Sequence, residues 1–321
     1  MKGQHSAIGY LKAGLESGRI SPAYIFSGPD GVGKRITAIN FAKALNCDNI
    51  KSGESCDQCP SCKKIDSLKH PDVYILSPEE DGGSIKIEDV RAVIKDVYLK
   101  PFEAKRKVYI IEAAQELKHE AANALLKTLE EPPADSIIIL LTENIKALLH
   151  TIVSRSQIVK FFSLKLKEVQ NILVKEYLLT EDDAHILAHL SGGMLGSALK
   201  FKEDGLLTKR SLLIDRISSG LKDDFDFDDI PKGDVRMYLD MMLAWYRDIL
   251  NTKIGAGDHM LVNIDKRDII SNEANILSFE NLEETINSII STVTHIDKNA
   301  NQKLAMSVLG MRIKQVSACT K

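Results

Sequence analysis

Residues 28–34 have the types and spacing to hold a phosphate. Gly28-Pro29-Asp30-Gly31-Val32-Gly33-Lys34 follows a short apolar run, Tyr24-Ile25-Phe26-Ser27, and precedes a helical pattern from about Ile36 to Asn46. In that setting glycines let backbone N–H groups turn toward phosphate, and the lysine neutralises the terminal phosphates. A chance glycine-rich turn would lack this strand-loop-helix context. The next residue should carry a hydroxyl that holds Mg²⁺. Here it is Arg35, which has no lone pair to give a cation, and Thr37 comes two positions too late. Phosphate binding is therefore expected at Gly28, Gly31, Gly33 and Lys34, and metal-assisted hydrolysis is not. Lys34 keeps two readings: it binds a nucleotide that is never turned over, or it is a solvent-exposed relic.

A second strand should end in the carboxylate that holds Mg²⁺ through water, often followed by a Glu that activates the attacking water. The run Lys107-Val108-Tyr109-Ile110-Ile111 leads to Glu112 and Ala113. Glu112 retains a carboxylate on a longer arm, and Ala113 has no proton-accepting group. Hydroxyl, Asp and Glu are all altered where hydrolysis needs them, which points to a degenerate nucleotide site.

Four of the five cysteines cluster as Cys47, Cys56, Cys59 and Cys62. Thiolates at this spacing can close a tetrahedral Zn²⁺ shell. In a chain expected in the cytoplasm, such a cluster reads as metal before disulfide, with reduced metal-free thiols as the alternative. Protein would fill all four positions, so the zinc is expected to be structural. Cys319 reads as a spare thiol.

These residues need elements to carry them. Apolar runs at 23–27, 73–76, 108–111, 137–142 and 158–162 are rich in β-branched and aromatic residues. They predict a parallel five-stranded sheet covered on both faces, with helices between the strands. Ile36, Ile39, Ala42 and Leu45 predict the inward face of the first of these helices. Ile87–Val97 and Leu117–Leu129 predict two more, the second ended by Glu130-Glu131-Pro132-Pro133. After Phe162 strand signals stop. Segments 164–177, 182–190 and 196–202 predict three short helices. Two stripes in the remainder, Val235/Leu239/Met242/Tyr246/Ile249 and Leu282/Ile286/Ile289/Val293, predict packing faces. The acidic run Asp223–Asp229 reads as a solvated loop.

Composition excludes some classes. The chain has 321 residues and a net charge of -3, with a pI near 6.3. A dedicated nucleic-acid coat protein would show a strong basic excess. No apolar run reaches the length of a membrane span and no signal-peptide core is visible, so a cytoplasmic location without membrane contact is expected.

Further motifs carry a family resemblance. They are Ala121-Ala122-Asn123-Ala124-Leu125-Leu126-Lys127-Thr128-Leu129-Glu130-Glu131-Pro132-Pro133, Leu141-Thr142-Glu143-Asn144 and Ser154-Arg155-Ser156. With the glycine loop and the inserted cysteine module, the whole chain resembles the clamp-loader branch of the AAA+ family, most strongly over 23–157. The resemblance implies a P-loop domain over 1–163 with a zinc module at 47–62, a helical lid at 164–207 and a helical collar at 208–321 that assembles a five-subunit ring. It implies a subunit of the replicative DNA polymerase holoenzyme that loads the sliding clamp on primed DNA. Expected partners are motor subunits of gamma or tau type, the delta subunit and, through them, the clamp and DNA. Arg155 matches a finger that reaches the ATP of the adjacent subunit, with Ser156 where the family has Cys. Its plainer role is a surface pair with a local carboxylate. The family's lid arginine is matched by Leu195. Asn144 lies near the family's γ-phosphate sensor and equally suits a cap for a helix starting near Ile145. ATP or ADP is a possible ligand, and no intrinsic catalysis is expected. An active motor ATPase and a zinc-dependent DNA-binding protein are the competing readings.

Overall fold

The computed structural model describes residues 3–78, 83–219, 230–298 and 300–318. The acidic run 223–229 and Cys319 lie outside them. The chain divides into two compact units, one comprising residues 1–164 with 194–197, the other 165–193 with 198–321.

The first unit opens with helix α1 (His5–Ser17), which the sequence reading did not anticipate. Its core is a five-stranded sheet of β1 (Ala23–Ser27), β2 (Val73–Leu76), β3 (Lys107–Ile111), β4 (Ser136–Thr142) and β5 (Gln157–Lys160). The order is β2-β3-β4-β1-β5, with every pairing parallel. Central strands β3 and β4 are buried at every residue, while edge strands β2 and β5 are only partly covered. This explains why β3 and β4 are continuous apolar runs: both faces are covered by helices. One layer joins α1 and α2 (Lys34–Asn46) to Tyr24, Phe26, Val108, Ile137 and Ile139. Helix α3 (Pro60–Asp66) belongs to the cysteine module. The opposite layer packs α4 (Ile87–Val97), α5 (His119–Glu130) and α6 (His150–Val153) on Ile25, Tyr109, Ile111, Ile138 and Leu140.

Several details differ from the sequence reading. Ile36 is 60 % exposed; the buried stripe of α2 runs instead through Ala38, Phe41, Ala42 and Leu45, which face the sheet. Strand β5 stops at Lys160: Phe161 turns into the core beside Phe26, and Phe162 is exposed. Helix α5 begins at His119, because a 3₁₀ turn at Ala114–Glu116 intervenes after β3.

The second unit is helical among the described residues. It contains α7 (Leu166–Tyr177) and α8 (Glu181–Leu190). The start of α9 (Leu195–Glu203) belongs to the first unit and its remainder to the second. Then follow α10 (Leu206–Ser218), α11 (Val235–Lys253), α12 (Arg267–Ile276), α13 (Phe279–Asp297) and α14 (Gln302–Ala318). The expected stripe of α11 is buried throughout. That of α13 is not: Leu282 and Ile289 are buried with Thr285 and Thr292, whereas Ile286 and Val293 are half-buried. The two threonines fit inside because each hydroxyl donates to the carbonyl four residues back, Asn281 and Ser288. A polar knot pins the loop after α11. Buried Asp248 accepts from the backbone N–H of Val262 and Asn263, and buried Arg210 donates to Asn263 and pairs with Asp265.

In the first unit Asp72 does similar work before β2. It is 1 % exposed, and its carboxylate accepts the backbone N–H groups of Phe102, Glu103 and Ala104, each at 2.8 Å. Burial favours the neutral acid, but these three donors outweigh it and hold the carboxyl below its usual range. A depressed folded-state pKa contributes stability that is present above the ordinary carboxylate value and is lost as pH falls through the depressed one. Asp72→Asn should cost about 1–3 kcal/mol at neutral pH. Urea unfolding across pH should show the gap to the parent chain shrinking in acid.

Candidate nucleotide and metal site

The parallel sheet brings three separated segments to one edge. The C-terminal ends of β1, β3 and β4 are neighbours, so the glycine loop, Glu112 and Thr142 meet there. They border a cleft of about 960 Å³ lined by Asp30, Gly31, Lys34, Arg35, Glu112 and Thr142 among others. Ligands of open parallel sheets bind at this edge, where the chain switches direction across the sheet.

The loop is fixed at both ends. The Gly28 N–H donates to Thr142 O at 3.1 Å, continuing the β1–β4 ladder. Gly31 has φ +71° and meets residues 196–197: Gly196 N–H donates to Gly31 O at 2.8 Å, and a Cβ on Gly31 would lie 2.1 Å from Ser197 Oγ. Any larger residue at 31 would be strained and would clash. Gly33 at φ +97° turns the chain into α2. Leu195 is half-buried at the start of α9, and Gly196 lines the cleft.

Lys34 is only 8 % exposed, so it is not the solvent-exposed relic that the sequence left open. Its ammonium donates to Gly28 O and Pro29 O, both at 2.6 Å. Burial pushes its pKa below the usual lysine value, opposed by Asp30 and Glu143. Among the described residues no carboxylate pairs directly with this ammonium, and its two neutral carbonyl partners can be exchanged for an anion.

The two altered metal positions meet each other. Arg35 Nε lies 2.6 Å from Glu112 Oε1. The approach is an ion pair not aligned along the N–H bond, since Oε1 has no hydrogen-bond partner despite its burial. Ser77 Oγ donates to the other oxygen, Oε2, at 2.7 Å. Ala113 follows at φ +45° and lines the cleft without a polar side chain. The pairing of Arg35, Ser77 and Glu112 left no mark in the sequence, because the three residues lie on separate elements.

Asn144 accepts from Lys146 N–H at 3.0 Å and caps the helical segment that starts at Ile145, a single 3₁₀ turn at Ile145–Ala147. Two polar groups of this segment line the cleft: Glu143, and Thr142, whose hydroxyl donates to Gln115 at 2.9 Å.

Arg155 follows α6. Its Nη2 lies 2.8 Å from Glu130 Oε1, and Nη1 donates to Thr151 O at 3.0 Å. Glu130 ends α5, so the Glu-Glu-Pro-Pro segment supplies the local carboxylate. Both side chains are partly exposed, and such a pair contributes at most about 1 kcal/mol.

The cysteines do come together. The Sγ atoms of Cys47, Cys56, Cys59 and Cys62 all lie within 4.8 Å of one another. Cys47 ends α2, and Cys59 caps α3, whose first residue is Pro60. The N–H groups of Cys56, Cys59 and Cys62 point at the Sγ of Cys47, Cys56 and Cys59 in turn, at 3.2, 3.3 and 3.5 Å. N–H donors to sulfur stabilise thiolate, and those of Gln58 and Cys59 lower the Cys56 thiol to about 6. Burial pushes Cys62 the other way. Four thiols this close, supported by backbone donors, fit a tetrahedral zinc and leave no open position for catalysis. Buried Lys43 of α2 ties the module down through Asp57 at 2.6 Å and Asp66 at 2.8 Å.

Comparison with known proteins shows which family the chain belongs to. A family described as "DNA polymerase III, delta subunit" matches residues 3–165, and its C-terminal counterpart matches 229–314. The DNA polymerase III subunit delta′ of Bacillus subtilis is 30 % identical over 312 residues, covering 94 % of this chain and 93 % of the relative. The chain belongs to the delta-prime family of DNA polymerase III. The gamma subunit of Buchnera aphidicola is 34 % identical over 213 residues, covering 64 % of this delta-prime chain and 57 % of the relative. A solved gamma subunit-related protein of Thermotoga maritima covers 97 % of this chain and 99 % of its own at 20 % identity, with a TM-score of 0.49, a likeness too loose to bear on function. No described helix is long and apolar enough to cross a membrane.

The Mg²⁺ that the P-loop fold implies does not fit the residues of this delta-prime chain. A guanidinium stands where the hydroxyl ligand should be, and it engages the carboxylate that should hold the ion.

The chain should carry about one zinc ion, measured by elemental analysis, and Cys62→Ser should abolish it. Because the thiols must be deprotonated to bind, acid should release the metal and lower the melting temperature.

Proposed function

We propose that this chain is the non-hydrolysing stator of a clamp loader and completes the ATP site of a neighbouring motor subunit with Arg155. The observation that carries the reading is the Arg35–Glu112 ion pair at 2.6 Å. Arg35 offers no hydroxyl, its pairing commits the carboxylate that Mg²⁺-assisted hydrolysis needs, and Ala113 offers no base for water. The chain keeps the scaffold of an ATPase and lacks its metal chemistry. It takes part in a DNA-directed DNA polymerase holoenzyme by membership and not by its own catalysis.

Arg155 suits a role in trans. Its tie to Glu130 is weak, and a guanidinium aimed at a γ-phosphate stabilises transition-state charge. On this reading 164–207 is the lid and 208–321 the collar of a ring. The motor subunits of gamma or tau type and the delta subunit are its neighbours, with the sliding clamp and primed DNA reached through them. Zinc in the Cys47–Cys62 module is structural.

One finding favours a second reading, an active motor: the similarity to gamma subunits at 34 % identity. It covers 64 % of the chain, and the metal-site substitutions oppose it.

DNA-stimulated ATP hydrolysis by the reconstituted loader separates the two. The chain alone should be silent. Arg155→Ala should lower the loader's turnover by about tenfold or more. Turnover by the chain alone would instead establish the motor, and an unchanged rate with Arg155→Ala would remove the finger.

A further inference from the structure

The cleft retains a phosphate loop without a place for metal. In P-loop enzymes the residue after the lysine and the carboxylate at the end of the second motif strand share one Mg²⁺. That ion needs oxygen ligands in near-octahedral array at about 2.0–2.1 Å. Here the first position is a permanent cation with donors only. The second is engaged at both oxygens, Oε1 by Arg35 Nε and Oε2 by Ser77 Oγ. A dication would have to displace a like charge to enter.

A phosphate group in this loop must then be neutralised by Lys34 and Arg35. Among the described residues these are the cations lining the cleft, set against the carboxylates of Asp30, Glu112, Glu116 and Glu143. The lining therefore tolerates little added negative charge. An unmetallated triphosphate brings more of it than a diphosphate does and is repelled more strongly. Arg35 is half-exposed to the cleft, and a guanidinium has five donors, of which Nε faces Glu112. The remaining donors can grip phosphate oxygens in fork geometry, so one side chain bridges the carboxylate and the ligand as the metal does in an active enzyme. Lys34 would exchange the carbonyls of Gly28 and Pro29 for phosphate oxygens.

We propose that the cleft binds a nucleoside diphosphate without any divalent cation, with the Arg35 guanidinium in the place of the metal. This deepens the non-hydrolysing reading and rests on it. Such a ligand would be a structural filler of the P-loop, held and not turned over.

The test is calorimetric titration of the full chain with ADP and with ATP, in EDTA and in excess Mg²⁺. ADP affinity should agree within about twofold between the two buffers, and ATP should bind more weakly than ADP in EDTA. Arg35→Thr should weaken ADP binding in EDTA by about tenfold or more, and Mg²⁺ should then restore part of it. Arg35→Lys, which keeps the charge without the fork, should fall between. Thermal unfolding checks that each variant is folded. A wild-type affinity that rises about tenfold with Mg²⁺ would overturn the proposal, as would ATP binding more tightly than ADP in EDTA or a folded chain that binds neither nucleotide. Those failures leave the stator reading standing, because a chain without nucleotide also hydrolyses none. ATP turnover by the isolated chain would overturn the stator reading itself.

Discussion

Everything at the candidate site depends on the parallel pairing of β1 between β4 and β5. Parallel strands place their C-terminal ends on one side, so whatever follows β1, β3 and β4 shares an edge. The register Ser27↔Thr142 sets the root of the glycine loop beside the end of β4, and Ile111↔Leu140 sets Glu112 on the same rim. Full burial of Ile25, Ile110 and Ile139 makes that register costly to shift, because a one-residue slip would turn core side chains to the other face. The position of Glu112 relative to the loop is thus set by packing several residues away from any polar chemistry.

On that rim the charges have been rearranged and not simply deleted. Removing a hydroxyl and a catalytic carboxylate from a nucleotide site would leave a partly buried carboxylate without compensation, which is unfavourable. Arg35 supplies the missing positive charge from within the chain. The pair is half-open to solvent, so its Coulomb contribution is screened and its net worth is modest. Its larger effect is to hold the ends of two elements together without help from an ion.

Much of the first unit was legible in sequence because parallel strands announce themselves as unbroken apolar runs. Strands β1 and β2 lie where those runs lie, and β3 and β4 begin one residue earlier. The glycine loop was legible because its backbone geometry permits few residue types. The cysteine cluster was legible because three of the four cysteines are only three residues apart and the fourth lies nine residues before them. What failed were choices among similar apolar residues. Ile36 looks like a core residue, yet α2 turns Ala38 and Phe41 to the sheet instead. Thr285 and Thr292 look polar, yet bonding to their own helix lets them be buried. Helix α1 carries few large apolar residues, and its cap Gln4 makes no side-chain cap bond, so neither periodicity nor a cap marked it. Pairings across distant segments, such as Arg35 with Glu112, depend on the sheet order and could not be seen before it. The Glu130 partner of Arg155 was foreseeable only as some local carboxylate.

Helix α2 runs from Lys34, inside the phosphate loop, to Asn46, the residue before Cys47. At about 1.5 Å per residue it is a strut roughly 20 Å long with a candidate site at each end. Lys43 clamps its far end to the module through Asp57 and Asp66. Two chemistries that look unrelated in the sequence therefore share one rigid member. The sheet holds this strut along its length through Ala38, Phe41, Ala42 and Leu45, so the cysteine module and the glycine loop are fixed to one another through the same core.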